Sequence, residues 1–270
     1  MTTLTLTKHH GLGNDFLVVW HPAVTDLPAL ARRLCDRRRG IGADGLLVGS
    51  IEEGYSSRMV LYNADGSRAE MSGNGIRCFA QALASRRGDL HPQQILTDAG
   101  VREVTLEATT DPGVILAAVD MGEVHPIAEP ADWQNLQCDP LRPVRHLSLG
   151  NPHSVVGVES VPEVDLLALG RLVPHVNLEV IEPGPETDAI TMRVHERGAG
   201  ITEACGTGAC ASAWAASGWG LVPASATEIT VHMDGGSAKV RLHSPSAGRV
   251  TLVGPAQYIA TVEVSIAETT

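Results

Sequence analysis

One short motif occurs twice in this chain, half a chain length apart, and this repeat constrains the fold more than any other feature. Residues 70–75 (Glu-Met-Ser-Gly-Asn-Gly) and 203–208 (Glu-Ala-Cys-Gly-Thr-Gly) share the form Glu-x-[Ser/Cys]-Gly-x-Gly, and each leads into an alanine-rich stretch. Ser72 and Cys205 lie 133 residues apart in a chain of 270 residues. Because a domain usually holds about 100–200 residues, this spacing predicts a duplicated chain with two similar lobes.

The rest of the sequence is rich in strand patterns. Short alternating apolar segments, separated by turns of Gly, Pro, Asn and Asp, are typical of strands joined by hairpins. Asp234-Gly235-Gly236 predicts a hairpin turn, and the proline-rich stretch 125–143 predicts a loop or linker near the midpoint. Hairpins without strand–helix–strand alternation indicate an α+β fold class. Helices are predicted from the Asp26 cap to Gly40, over 75–87 and over 206–217, and strands over 3–6, 46–51, 58–62, 94–97, 101–108, 114–120, 144–149, 154–158, 177–181, 190–194, 228–233, 238–242 and 249–253.

The composition excludes several classes of protein. Hydrophobic residues make up 43% and charged residues 19%, which is typical of a globular chain with a core. A net charge of −11 and an aromatic content of 3% argue against a nucleic acid partner. The sequence has no run of about 18 apolar residues and no signal-peptide pattern, so we expect no membrane partner and a cytoplasmic location. The five cysteines form no Cys-x-x-Cys pair, so neither disulfides nor a zinc site is predicted.

Each copy of the repeated motif could bind an anion. If a helix starts at the motif, its free backbone N–H groups and its dipole attract a carboxylate or phosphate. A cysteine at such a position is expected to have a lowered pKa, so we expect iodoacetamide to label Cys205 first. Taken alone, each copy is equally typical of an ordinary strand-to-helix turn. A nucleotide-binding P-loop is excluded because no Gly-Lys-[Ser/Thr] follows, and the third glycine of the dinucleotide fingerprint is missing.

Two such helix N-termini facing each other could clamp one small anionic group. Ser72 and Cys205 would then approach that group from opposite faces, which suits an acid and a base acting on one carbon. Further polar candidates lie beside turn residues or at strand ends, where a structural role is the alternative reading. These candidates are Asn14, Asn63, Asn74, Asn151, His153, Asn177, Glu196 and Arg197.

Six separate motifs, in this order, make the sequence similar to the diaminopimelate epimerase family. They extend from residue 9 to about residue 215, and their combination is far more specific than any one of them. The motifs are Gly11-Leu12-Gly13-Asn14-Asp15-Phe16, Asn63-Ala64-Asp65-Gly66-Ser67, Ser72-Gly73-Asn74-Gly75-Ile76-Arg77-Cys78, Gly150-Asn151-Pro152-His153, Glu196-Arg197-Gly198-Ala199-Gly200 and Ala204-Cys205-Gly206-Thr207-Gly208.

The resemblance implies an isomerase that interconverts LL- and meso-diaminopimelate, on the route to lysine, without pyridoxal phosphate, metal or any other cofactor. It implies two pseudo-symmetric lobes, each a mixed or antiparallel barrel-like sheet around a central helix, with the active site in the cleft between them. We expect an N-terminal lobe over 1–118, joined by the last residues 257–270, and a C-terminal lobe over 119–256. A homodimer and a small amino-acid substrate are the expected partners.

The resemblance also assigns roles to residues. Cys205 and the residue at Ser72 would be the catalytic acid and base, and His153 and Glu196 would tune the thiols. The substrate's α-carboxylate would lie on the two helix N-termini. The substrate-binding positions are Asn14, Asn63, Gly73, Asn74, Asn151, Asn177, Glu196, Arg197, Gly206 and Thr207.

The chain departs from the family pattern at Ser72, where the family has a catalytic cysteine. A serine hydroxyl is a poor base at neutral pH, so two-base activity is expected to be impaired. Three interpretations stay open: an engineered knockout, a natural variant with slow or one-sided activity, or a related reaction. The alternative functions are therefore a cofactor-independent racemase or dehydratase of the same fold, or a homologue that only binds amino acids.

Overall fold

The chain folds into two compact units. The structure is a computed structural model that describes residues 2–243 and 248–266. The first unit comprises residues 1–119 and 254–270, and the second comprises residues 120–253. The predicted C-terminal segment 257–270 extends beyond the described residues at 267–270. None of the described helices has the length and apolar character that a membrane span requires.

The described part of the first unit is a mixed sheet with two helices. Most neighbouring strands are antiparallel, but β2 pairs with β3 and β4 pairs with β6 in parallel. Strand β1 also pairs with β17, the last strand of the described residues. The strands are β1 (Thr2–Gly11), β2 (Asn14–Trp20), β3 (Gly45–Ser50), β4 (Ser57–Asn63), β5 (Arg68–Ala69), β6 (Gln93–Thr97), β7 (Gly100–Ala108) and β8 (Val114–Glu123), and the helices are α1 (Leu27–Cys35) and α2 (Gly73–Arg87).

The second unit has the same kinds of element. Its strands are β9 (His125–Pro126), β10 (Val144–Ser148), β11 (Pro152–Gly157), β12 (Asn177–Pro183), β13 (Ala189–Glu196), β14 (Gly200–Thr202), β15 (Glu228–Met233), β16 (Gly236–Leu242) and β17 (Arg249–Ile266), and its helices are α3 (Leu166–Gly170) and α4 (Gly206–Trp219), with a 3-10 turn at Trp133–Leu136. Strands β8 and β17 each contain residues of both units.

The two units share one strand topology, as the repeated motif predicts. In the first unit, β1 to β5 pair in sequence, with only the β2–β3 pair parallel, and β4 then pairs in parallel with β6. In the second unit, β10 to β14 repeat this order with only β11–β12 parallel, and β13 pairs in parallel with β15. The predicted α+β class with two similar lobes is confirmed.

A buried helix lies in the middle of each unit. All residues from Gly73 to Ala84 in α2 are buried, as are most of those from Gly206 to Ala216 in α4. A helix that is buried on all sides and has no exposed polar stripe is typical of one enclosed by other elements. Both helices end at a glycine in the left-handed conformation, Gly88 (φ 75°) and Gly220 (φ 73°), which only glycine adopts at no steric cost.

Several sequence predictions differ from the structure, and the first of them concerns helix α1. Helix α1 begins at the predicted Asp26 cap but ends at Cys35, well before Gly40. The reason is Asp36, whose carboxylate accepts hydrogen bonds from the next backbone N–H groups of Arg38 and Arg39. Such local side-chain bonds compete with helical ones and favour a turn.

Strand β2 was not predicted, because the hairpin before it is unusual. Gly11 pairs with Asn14, so Leu12 and Gly13 form a two-residue turn with positive φ at both positions. Leucine is an uncommon residue in such a turn, so the sequence pattern gives little warning of it.

Two further differences concern the stretch 125–143 and strand β17. Most of the stretch 125–143 is irregular, which confirms the loop alternative; it is not a linker, because it lies inside the second unit, pairs with β10 through His125 and Pro126, and buries Trp133 in an apolar cluster. Strand β17 runs on to Ile266, far beyond the predicted end at Val253.

Candidate active site

The repeated motif forms a helix N-terminus in each unit, as predicted. Ser72 caps α2 with an extended backbone (φ −139°, ψ 125°), and its Oγ accepts a hydrogen bond from Gly75 N at 3.0 Å. Cys205 caps α4 in the same way (φ −127°, ψ 114°), and its Sγ accepts from Gly208 N at 3.4 Å. Each motif therefore places the first backbone N–H groups of a buried helix beside its capping residue, a position where anions bind.

The last glycine of each motif packs closely against the capping residue. A Cβ atom added at Gly75 would lie 3.1 Å from Cβ of Ser72. At Gly208 it would lie 3.3 Å from Sγ of Cys205 and only 2.7 Å from Oε1 of Glu179. The second position tolerates no side chain unless Glu179 moves.

A hydrogen-bond network positions the amide groups beside Ser72. Asn74 donates from Nδ2 to Oδ1 of Asn14 at 3.1 Å, and Asn14 donates from Nδ2 to Oδ2 of Asp44 at 2.6 Å. The fully buried Arg77 donates to Oδ1 of Asn74 at 2.7 Å. The structure therefore brings together Asn14, Gly73 and Asn74 at the start of α2. Asn63 instead donates to Oγ of Ser67 within its own turn.

An equivalent network lies beside Cys205. Asn151 donates from Nδ2 to Oγ1 of Thr207 at 3.2 Å, just as Asn14 contacts Asn74 in the first unit. Oγ1 of Thr207 lies 3.5 Å from Sγ of Cys205. Asn151, Cys205, Gly206 and Thr207 are thus gathered at the start of α4.

The remaining predicted residues of the second unit lie at the ends of β12 and β13. Asn177 is buried, and its Oδ1 accepts from the backbone N of Arg197 at 2.8 Å. Glu196 accepts a 2.6 Å hydrogen bond from Oγ1 of Thr202, and the Arg197 side chain is exposed. The charge of Glu196 acts on Cys205, because it is one of the causes of the raised pKa of that thiol.

The expected lowering of the pKa of Cys205 is wrong. Burial raises the pKa of the Cys205 thiol well above its usual value, and the carboxylates of Glu196 and Glu179 raise it further. The hydrogen bonds from Thr207 and from the backbone N of Gly208 oppose this, but they do not outweigh it. The Cys205 thiol is 4% exposed and is held in its neutral form.

Sequence reasoning missed three residues of these networks. Asp44 holds Asn14, Arg77 holds Asn74, and Glu179 lies 2.6 Å from Nδ1 of His153 with both side chains fully buried. A signal for Glu179 was present, because it is a charged residue within the apolar strand run Leu178–Ile181 and faces the same side as Asn177.

No group of three or more His, Cys, Asp or Glu side chains suited to a metal ion occurs in residues 2–243 and 248–266. All five cysteines are free.

The family model and the curated relatives that match this chain carry the same description. A sequence profile of the family described as "Diaminopimelate epimerase" matches residues 6–127 and 146–259. A diaminopimelate epimerase from Halothermothrix orenii is 38% identical, over 98% of this chain and 99% of its own length. One from Moorella thermoacetica is 39% identical, over 92% of this chain and 95% of its own length.

Solved structures share the fold at low sequence identity. A phenazine biosynthesis protein of the PhzF family from Bacillus anthracis has a TM-score of 0.77 at 16% identity, covering 98% of this chain and all of its own. A hydroxyproline epimerase from Agrobacterium vitis has a TM-score of 0.64 at 12% identity, covering 97% of this chain and 92% of its own.

Proposed function

Because the chain belongs to the diaminopimelate epimerase family, we propose that it interconverts LL- and meso-diaminopimelate by exchanging the proton on one α-carbon. The observation that carries the proposal is the pair of equivalent helix N-termini capped by Ser72 and Cys205. A carboxylate held on such N–H groups can accept the charge that develops when the α-proton leaves. One donor aimed at such charge typically contributes about 3–4 kcal/mol.

Cys205 and Ser72 act from opposite faces of the α-carbon in this proposal. Cys205 takes or returns the proton on one face, and Ser72 donates a proton or positions a water on the other. The thiol is neutral in the free protein, since Glu196 and Glu179 add to the effect of burial. A substrate ammonium group near Glu196 would offset that negative charge and make the thiolate accessible only when substrate is bound.

The asparagine side chains hold the substrate's polar ends. Asn14 and Asn151 occupy equivalent places beside the two helix N-termini, and Asn can both donate and accept hydrogen bonds. Asn63, Asn177 and the exposed Arg197 are the further binding residues in this proposal. His153 and Glu196 adjust the protonation of the Cys205 thiol.

We also propose that the protein works in the cytoplasm as a homodimer without pyridoxal phosphate. The five free cysteines support a reducing compartment. The dimer and the absence of a cofactor rest on the family resemblance, and light scattering and an absorbance spectrum of the purified protein test them.

Chiral chromatography of diaminopimelate incubated with the protein tests the proposed activity. We expect LL-diaminopimelate to yield the meso isomer, and the Cys205→Ala variant to lose this conversion. Cys138→Ala is the matched control, since Cys138 lies outside the site. Equal conversion by the Cys205→Ala variant and the wild-type protein would contradict the proposal.

The serine at position 72 favours one alternative function. A protein with a single catalytic thiol can still carry out an elimination reaction on an amino acid. Such a reaction removes the proton from one face of the α-carbon and needs no second strong base. In that case the α-carbon exchanges its proton without inversion, or a keto product forms, and chromatography shows no second stereoisomer.

A further inference from the structure

A fully buried ion pair lies beside the N-terminus of α4. The side chains of His153 and Glu179 are both 0% exposed, with 2.6 Å between Nδ1 and Oε1. Within the described residues, Oε2 of Glu179 has no hydrogen-bond partner. Burying two charges costs about as much free energy as their mutual attraction contributes, so a buried ion pair does not by itself indicate a gain in stability.

The first unit shows that this fold does not need charges at these positions. The strand register places Phe16 of β2 at the position of His153 in β11, and Leu47 of β3 at the position of Glu179 in β12. Phe16 and Leu47 are both buried apolar residues. The same architecture is therefore filled by apolar side chains beneath Ser72 and by an ion pair beneath Cys205.

A continuous chain of hydrogen bonds connects the pair to the thiol. From Glu179 the chain passes to His153, whose Nε2 lies 3.0 Å from Oδ1 of Asn151. Asn151 donates to Oγ1 of Thr207, which lies 3.5 Å from Sγ of Cys205. Four contacts thus lead from a buried carboxylate to the reactive sulfur.

The two groups that flank the His153 ring fix where its protons lie. A carboxylate oxygen and an amide oxygen normally accept hydrogen bonds. Nε2 of His153 therefore carries a proton toward Asn151, and a further proton is shared between Nδ1 and Oε1 of Glu179. This arrangement turns the amide of Asn151 so that its NH₂ group faces Thr207.

We propose that Glu179 is a positioning residue for Cys205, acting through His153, Asn151 and Thr207. Glu179 fixes the proton arrangement of His153, and the oriented amide of Asn151 then holds the Thr207 hydroxyl against the sulfur. The kinetic part of this inference rests on the proposed epimerase function.

The titratable groups around Glu179 lie on three elements. His153 approaches from β11, the carboxylate of Glu196 acts from β13, and Cys205 lies at the start of α4. Burial raises the pKa of Glu179, and Glu196 raises it further, while His153 lowers it. The carboxylates of Glu179 and Glu196 in turn both raise the pKa of the Cys205 thiol.

The Glu179→Gln variant removes the constraint while keeping the shape of the side chain. An amide can donate or accept, so His153 is then free to hold its proton on either nitrogen. We expect kcat to fall about 10²-fold, as for other small misplacements of reacting groups. The alkaline limb of the pH–kcat profile should also move to lower pH. Glu182→Gln, on the same strand but bonded to the backbone of Val161, is the matched control and should change neither.

A double-mutant cycle tests whether the effect passes along the chain. Thr207→Val cuts the contact to the sulfur while keeping the residue's shape. In that background Glu179→Gln should lower kcat by less than about threefold, because coupled residues are not additive. If the two effects multiply, Glu179 does not act through Thr207, and the inference is wrong.

A measurement without substrate separates this inference from the proposed function. Nitrogen NMR of the His153 ring in the free protein should show one protonation pattern of the two ring nitrogens in wild type and in Glu182→Gln, and a different or mixed pattern in Glu179→Gln. An unchanged pattern would overturn the inference. If the change appears but the wild-type protein does not interconvert diaminopimelate isomers, the proposed function fails and the link between Glu179 and His153 stands. If the wild type is active and Glu179→Gln matches it in kcat and pH profile, the inference fails alone.

Discussion

Replacing Gly208 by alanine should destabilise the protein, although the same substitution at another position of the same helix should stabilise it. At Gly208 the new Cβ would lie 2.7 Å from Oε1 of Glu179 and 3.3 Å from Sγ of Cys205. Glu179 cannot turn away without leaving its 2.6 Å contact with the buried His153. Gly218, near the end of α4, is exposed and has no atom within 4 Å of the added Cβ.

The expected magnitudes follow from two opposing effects. Alanine in a helix is favoured over glycine by roughly 0.5–1 kcal/mol. Overpacking a close-packed site costs about 1–3 kcal/mol. We therefore expect Gly208→Ala to lower the free energy of unfolding by roughly 1–2 kcal/mol, and Gly218→Ala to raise it by about 0.5 kcal/mol or more.

Urea denaturation of the two variants and the wild-type protein measures this difference. A change in the midpoint at constant slope reports a change in stability. Catalytic activity should fall only in Gly208→Ala, since that variant displaces the cap of α4. A Gly208→Ala variant as stable as the wild type would refute the packing argument and the placement of Glu179 against the helix.

Restoring the family residue with Ser72→Cys should raise the rate of interconversion by about 10²–10⁴-fold. The KM of this variant should change little, because backbone N–H groups hold the substrate's carboxylate. An unchanged rate would mean that position 72 has another role. In the free protein, iodoacetamide should label the partly exposed Cys138 before the buried Cys205, as measured by mass spectrometry; faster labelling of Cys205 would contradict its raised pKa. Burial acts to raise the pKa of Asp15, but hydrogen bonds from Arg37 help to hold it below the usual value. Stability from this group should therefore be present above about pH 4 and lost as the pH falls further. In acid titrations followed by circular dichroism, this loss should be smaller for Asp15→Asn; an equal loss would count against the ion pair.

The helices that carry the motif could be predicted from sequence because their signals are local. A small polar residue before Gly-x-Gly marks the start of α2 and α4, and a glycine after the last helical residue marks the end of α2 at Gly88. Strand β2 and the early end of α1 depend on a leucine with positive φ and on the local hydrogen bonds of Asp36. Such features leave little trace in hydrophobic periodicity.

The polar networks were harder to predict because their partners are distant in sequence. His153 and Glu179 are 26 residues apart, and Asn14 and Asn74 are 60 residues apart. Only the parallel pairing of β11 with β12 brings the first pair together. The raised pKa of Cys205 also depends on burial within the sheet and on two carboxylates from other strands. A helix N-terminus alone would have lowered it.

Exchange of the α-proton with solvent tests the central claim most directly. NMR in deuterated water would follow the loss of the Cα proton signal from LL- and from meso-diaminopimelate, with wild-type protein and with Cys205→Ala. We expect deuterium at Cα with the wild type, entering faster from the stereoisomer whose α-proton faces Cys205, and none with Cys205→Ala. If neither stereoisomer exchanges while both bind, the protein does not abstract the α-proton, and the proposed epimerisation is wrong.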